Sequence, residues 1–156
     1  MNAAIDTNVL LDVLIPDAKH LSRSKALLEK HLAQGRLLIC EVVYAEIASQ
    51  FPSDHDLNRF LHETNIRLIP SGGKALHIAG QRWARYSRNR GTSLHCNRCG
   101  HKIDVACPEC RAKITARQRV LADFVVAAHA SVHADVLLSR ERNIYKTYFP
   151  DLRFES

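Results

Sequence analysis

No run of residues free of Asp, Glu, Lys and Arg is long enough to cross a bilayer; the longest, Phe124 to Ala134, is interrupted by two histidines. No basic residue precedes Lys19 and Asp6 comes almost at once, so the N-terminus does not read as a secretory signal. There is no internal repeat and no low-complexity tract. These absences argue against a membrane or secreted protein and lead to the expectation of a cytoplasmic one, a single domain over residues 1–156. Aromatic residues are sparse, at 6%, and only Trp83 and Tyr86 stand near the most basic segment, so a base-stacking platform is poorly supported.

The charge that is present is uneven. The chain carries 22 Lys and Arg against 16 Asp and Glu, a formal excess of +6. Nine of the basic residues (Arg85, Arg88, Arg90, Arg98, Lys102, Arg111, Lys113, Arg117 and Arg119) lie between Arg85 and Arg119, beside only Asp104 and Glu109. The remainder is close to neutral. Clustered Arg and Lys are the footprint of a phosphate-backbone partner, and a solvated basic loop is the plainer alternative. Arg111, Lys113, Arg117 and Arg119 are the candidates for contact with nucleic acid.

Four of the five cysteines fall in the same segment, as Cys96-Asn-Arg-Cys99-Gly100 and Cys107-Pro-Glu-Cys110. Two residues between thiolates let a tight turn present both sulfurs to one ion, and two such turns complete a tetrahedron around Zn²⁺. Disulfides compete with this reading but fit poorly with a chain lacking an export signal, and a redox C-x2-C site needs only one pair. Four thiolates leave no open position, so such a zinc would be structural. Cys40 follows Leu37-Leu38-Ile39 and reads as a small buried hydrophobe.

Elsewhere, short apolar runs alternate with helical periodicity. Ala3-Ala4-Ile5, Leu37-Leu38-Ile39, Ile66 to Ile69 and Val136-Leu137-Leu138 read as buried strands, with Leu152 to Phe154 a fifth. Helices are expected to about Leu14, over 21–32, around Val42 to Ile47, from a Ser53 cap through Glu63, over 74–88 and over 120–132. Strands alternating with helices predict an α/β fold with a mainly parallel sheet flanked by helices, and residues 91–119, without periodicity or apolar mass, a small zinc-knuckle or ribbon insertion within it.

Four acids stand out against this frame. Asp6 ends the first strand, at the carboxyl edge where open α/β sheets keep their sites, although an N-cap for the next helix is the plainer role. Glu46 borders an apolar helix stripe. Asp123 is the only charged residue in 120–132, and an unpaired carboxylate there would protonate unless a cation or several donors met it. Glu141 follows the Val136–Leu138 strand, as Asp6 follows the first. Asp12 and Asp135 are nearby acids read as a helix-surface and a strand-start residue. Gathered carboxylates repel one another, and hard divalent cations resolve that repulsion and suit phosphodiester hydrolysis.

Ile5-Asp6-Thr7-Asn8-Val9-Leu10-Leu11, Glu46 within Tyr44-Ala45-Glu46-Ile47, Leu121-Ala122-Asp123-Phe124 with Ala127 to Ala130, and Leu138-Ser139-Arg140-Glu141-Arg142 before Tyr148-Phe149-Pro150 resemble the successive motifs of PIN-domain ribonucleases. They are most similar to VapC-type toxins of toxin–antitoxin pairs, over nearly the whole chain except about Arg90 to Arg119. The resemblance implies that Asp6, Glu46 and Asp123 bind Mg²⁺ or Mn²⁺, that Asn8 and Ser139 assist by hydrogen bonding, and that Glu141 takes the fourth acidic position, where the family usually has Thr-x-Asp. It implies an endoribonuclease acting on RNA, a small antitoxin partner and a homodimer. A non-catalytic nucleic-acid-binding zinc module and an RNA-processing nuclease without an antitoxin are the alternatives.

Overall fold

The computed structural model describes residues 1–16, 18–89, 93–96, 99, 101–114, 121–141 and 143–156. Strand β1 (Asn2–Ile5) leads into α1 (Thr7–Leu14), followed by α2 (Leu21–Gln34), β2 (Arg36–Ile39), α3 (Glu41–Ala48), α4 (Asp54–Glu63), β3 (Ile66–Leu68) and α5 (Gly72–Asn89). Four two-residue strands come next: β4 (Leu94–His95), β5 (Lys102–Ile103), β6 (Val105–Ala106) and β7 (Lys113–Ile114). Helix α6 (Leu121–His133), β8 (Val136–Leu138), α7 (Asn143–Tyr148) and β9 (Phe154–Glu155) complete the order.

Five of the strands form one parallel sheet in the order β3-β2-β1-β8-β9. The chain leaves β1 towards β2 on one side and later returns to β8 on the other. The carboxyl end of β1 is therefore the point where the strand order reverses, the place where open α/β sheets form a crevice. Ala3, Ala4, Ile5, Leu37, Ile39, Leu137 and Leu138 are buried, as expected of strands covered on both faces.

Local chemistry sets several boundaries. Ser53 caps α4 by accepting the Asp56 N–H at 3.1 Å, a bond worth about 1 kcal/mol. Beyond that helix Asn65 takes the left-handed conformation (φ 53°), which Asn tolerates better than most residues. At Gly35 the backbone passes so close to the start of β1 that an added Cβ would lie 1.8 Å from the Met1 carbonyl oxygen, while Arg36 N–H donates to that oxygen at 3.0 Å. The fifth strand begins later than expected, because Leu152 is buried and its N–H closes a turn onto the Phe149 carbonyl at 3.0 Å.

Helices α5 and α6 pack together, and an aromatic cluster ties them to α7. Tyr86, Phe124 and Tyr148 have ring centroids 5.5 Å apart in each pairing, and Phe149 lies 5.7 Å from Phe124. Arg82 stacks 4.4 Å over the Phe149 ring and donates to the Tyr148 carbonyl. This cluster fixes the first turn of α6, where Asp123 sits beside fully buried Phe124. His129, on the same helix, is buried and hydrogen-bonded to the Ile69 backbone. Among the described residues no helix is long and apolar enough to cross a membrane.

The cysteine segment holds more order than its composition suggests. Strands β4 and β5 make one antiparallel hairpin and β6 and β7 another, and each carries a C-x2-C pair between its strands. Ile103, Val105 and Ile114 are exposed on them, so neither hairpin buries a core of its own.

Candidate active site

Asp6 is the first residue beyond β1 and occupies the N-cap position of α1, yet its side chain makes no capping bond. It is 5% exposed, and its Oδ2 instead accepts three long-range or turn-forming donors: Ser139 Oγ at 2.5 Å, Asn8 Nδ2 at 2.7 Å and Tyr145 Oη at 3.0 Å. Burial raises its pKa, the Ser139 and Tyr145 hydroxyls oppose that rise, and Glu46 adds to it. The β1 end is thus built around a carboxylate rather than around a helix start.

The neighbouring acids arrive on separate elements. Glu46, an exposed residue of α3, accepts a short hydrogen bond from the Thr7 hydroxyl, which couples α3 to the turn after β1. Asp123 comes from α6, and its carboxyl is pushed up to about 6, first by burial and then by the charges of Asp6, Glu46 and Glu141. Three carboxylates therefore act on Asp123, and Glu46 acts on Asp6 as well. Glu141 also serves a local turn: its backbone N–H donates to Ser139 Oγ at 3.0 Å and its Oε1 accepts the Asn143 N–H at 2.8 Å, ahead of α7.

Asn8 links the two strand ends. Its Nδ2 also reaches Ser139 Oγ at 3.2 Å, and its Oδ1 accepts the Arg140 N–H at 3.1 Å. The structure thus joins Asp6, Asn8 and Ser139 by direct hydrogen bonds and Glu46, Asp123 and Glu141 through their field. Among the described residues no three His, Cys, Asp or Glu side chains are drawn together as a ready metal-binding group. Mg²⁺ does not need one, since it keeps several waters and is commonly held by one or two carboxylates plus substrate phosphate. The donor chemistry fits a hard divalent cation: oxygen ligands only, with excess negative charge that raises the Asp123 pKa.

Tyr145 and Thr7 belong to this site and have no local signal in the sequence. Tyr145 is fully buried, with its hydroxyl pKa raised by burial and by Asp6 and Asp123. Only its polar atom on the apolar face it shares with Phe149 hints at a partner. Asp12 departs from expectation: it is not a helix-surface acid but 3% exposed, accepting from Ser24 Oγ at 2.6 Å and pairing with Arg140 at 3.2 Å. Asp135 is a strand-start residue as expected, accepting the Asn2 N–H at 2.7 Å. Cys40 is buried.

The four paired cysteines sit on the hairpins as two turns. Cys96 N–H donates to the His101 carbonyl and Cys107 N–H to the Ala112 carbonyl, each at 2.9 Å, so the two turns close alike. The backbone N–H groups of Cys110 and Glu109 point at the Cys107 sulfur and lower its pKa. Arg111, directly after Cys110, takes φ 61°, the position that Gly100 fills after Cys99 in the sequence. Lys113 is paired with Asp104 at 2.7 Å. Arg117 and Arg119 lie outside the described residues.

A family model described as PIN domain matches residues 3–150. No curated protein matches the chain. Among solved structures, VapBC2 from Rickettsia felis bound to a promoter DNA fragment aligns over 99% of this chain and 98% of its own, with 18% identity and a TM-score of 0.60. DNA-bound VapBC from Salmonella typhimurium aligns over 99% and 97%, with 14% identity and a TM-score of 0.59. VapBC-1 from nontypeable Haemophilus influenzae aligns over 100% and 98%, with 17% identity and a TM-score of 0.58. At these identities the likeness is one of fold.

Proposed function

This chain belongs to the PIN domain family, and from that premise we propose that it is a Mg²⁺- or Mn²⁺-dependent endoribonuclease, the toxin of a toxin–antitoxin pair. PIN domains are typically Mg²⁺-dependent ribonucleases. The observation that carries the reading is the action of Asp6, Glu46 and Glu141 on Asp123, with Asp6 at the point where the strand order reverses. Asp6, Glu46 and Asp123 would hold the cation, with Glu141 beside them. A divalent ion in such a site polarises the phosphodiester and makes water a competent nucleophile near neutral pH.

The chain's own groups prepare that site. Ser139, Asn8 and Tyr145 hold the Asp6 carboxylate in one orientation, and Thr7 fixes Glu46. Preorganised groups of this kind need not reorient when the substrate binds. Hydrolysis by water needs no protein nucleophile, and neither Ser139 nor Tyr145 is activated as one: both spend their hydroxyl protons on Asp6.

An antitoxin partner is supported by the fold neighbours, which are structures of VapBC complexes. The homodimer would bury the exposed Leu76 and Trp83, two turns apart on α5. We also assign structural Zn²⁺ to Cys96, Cys99, Cys107 and Cys110. The support is chemical: four sulfurs, two matching hairpin turns and backbone N–H groups directed at one of the thiols. Binding would require the two hairpins to close on one ion. Arg111, Lys113, Arg117 and Arg119 remain proposed contacts to RNA.

The test is cleavage of single-stranded RNA with added Mg²⁺ or Mn²⁺, with Asp6→Asn as the control. Divalent-dependent cleavage that the variant lacks supports the reading. Metal-independent cleavage, or none by either chain, removes it and leaves a binding module on a nuclease scaffold.

A further inference from the structure

A cavity of about 420 Å³ is lined by Val9, His20, Arg23, Ser24, Leu27, Arg140 and Ser156. It is joined to the site through the chain, because Val9 and Arg140 directly follow Asn8 and Ser139, the residues that hold Asp6, and Arg140 N–H is bonded to Asn8. Its wall is unusual in one respect. Asp12 is a buried carboxylate, and its two described partners are the Ser24 hydroxyl and the Arg140 guanidinium. Burying a carboxylate is costly unless it is paired and hydrogen-bonded. Here the pairing fixes the direction of an arginine whose side chain stays 41% exposed. Arg23, exposed on α2, faces the same cavity with His20 and donates one hydrogen bond to the Ser156 backbone oxygen, leaving its other N–H groups for a ligand.

We infer that this cavity receives the phosphate of a nucleotide next to the bond to be cut, with Arg140 and Arg23 as its contacts. The inference rests on the nuclease reading and deepens it. An RNA strand entering a set of four carboxylates is repelled by them, and a positive subsite on the flank offsets that repulsion for the adjoining phosphate. A guanidinium held by a carboxylate on one edge presents its remaining N–H groups in a fixed fork, which suits phosphate oxygens better than a mobile lysine would. An acidic peptide could satisfy the same charges. The direct bond between Asn8 and Arg140 favours a ligand that spans both places, as a substrate strand would.

The full-length Asp6→Asn chain, which leaves RNA intact, allows binding of a labelled single-stranded RNA of mixed sequence to be followed across a salt series in Mg²⁺. Adding Arg23→Ala or Arg140→Ala should each flatten the plot of log affinity against log salt by about 0.7, and both together by about 1.4. Arg59→Ala, on α4, should leave the slope unchanged. Arg140→Ala strips Asp12 of a partner and could unfold the chain; Arg23→Ala removes only an exposed hydrogen bond to the Ser156 backbone oxygen and carries the test alone in that event. RNA binding with the parent slope in both variants overturns the inference while leaving the nuclease reading intact. Loss of a glutamate-rich peptide's binding with RNA binding unchanged overturns it in favour of an acidic protein partner. If the wild-type chain neither binds nor cuts RNA, the nuclease reading fails and this inference with it.

Discussion

The acids at the end of β1 and the cysteines of the hairpins are both sets of metal-ligand side chains, but different things hold them in place. Asp6 is anchored by three hydrogen bonds from α1, the residue after β8 and α7, and Asp123 stands on a helix whose neighbours fill the core. The cysteines sit in the turns between two-residue strands, with exposed isoleucines and valine around them. On the acid side the fold itself holds Asp6 in place through these bonds. The cysteine set has only its turn geometry, and would depend on its ion for a fixed shape.

The largest expected effect breaks the comparison on its first side. Asp6→Asn and Asp123→Asn should each reduce RNA cleavage by about 10³-fold or more with the fold retained by circular dichroism, whereas Cys107→Ser should leave the acid site assembled and divalent-dependent cleavage measurable. Equal losses in all three would mean that the hairpins belong to the active site.

The second expectation concerns zinc. One equivalent should copurify with the chain, and Cys96→Ser, Cys99→Ser, Cys107→Ser or Cys110→Ser should release it and open residues 94–114 to proteolysis, with the main thermal transition little changed. Elemental analysis without zinc, or a disulfide among these cysteines in reduced extract, would end the zinc assignment.

Tyr145→Phe sharpens the account of preorganisation. It removes one of the donors to a buried carboxylate while keeping the ring in its pocket, and should cost about 2 kcal/mol in urea unfolding. An unchanged midpoint would show that Ser139 and Asn8 suffice.

The smallest effect is a pH dependence. Because the Asp123 pKa is raised to about 6 in the folded chain and returns to its ordinary value on unfolding, the metal-free folded state binds the proton more tightly. Its stability should therefore fall as pH rises from about 4 to about 6. Asp6, shifted in the same direction, adds to that fall. Asp123→Asn should flatten the profile and leave stability at neutral pH equal to or above that of the parent. A steeper fall in the variant would contradict the repulsion among these acids.

Much of this arrangement was legible in the chain because the informative patterns are local. Ala3-Ala4-Ile5 before Asp6 and Val136 to Leu138 before Ser139 each mark a buried strand that ends on polar residues, and Asp123 is conspicuous in an apolar helix. What could not be read comes from distant pairings. Tyr145 reaches Asp6 across 139 positions, and Thr7 meets Glu46 across 39, with no periodicity that pairs them. Asp12 looks like a helix-surface acid until α2 brings Ser24 against it. The hairpin strands are too short and too exposed for alternation to show, and only the spacing of their cysteines announces the turns.

The most direct test of the central claim, that the gathered acids form one cation-dependent hydrolytic site, is cleavage of single-stranded RNA by chain stripped with EDTA and then given back Mg²⁺ or Mn²⁺. The account predicts no cleavage after stripping, recovery with either ion in the wild-type chain, and no recovery in Asp123→Asn at saturating Mn²⁺. Cleavage that survives stripping, or near-wild-type recovery in Asp123→Asn, would contradict it.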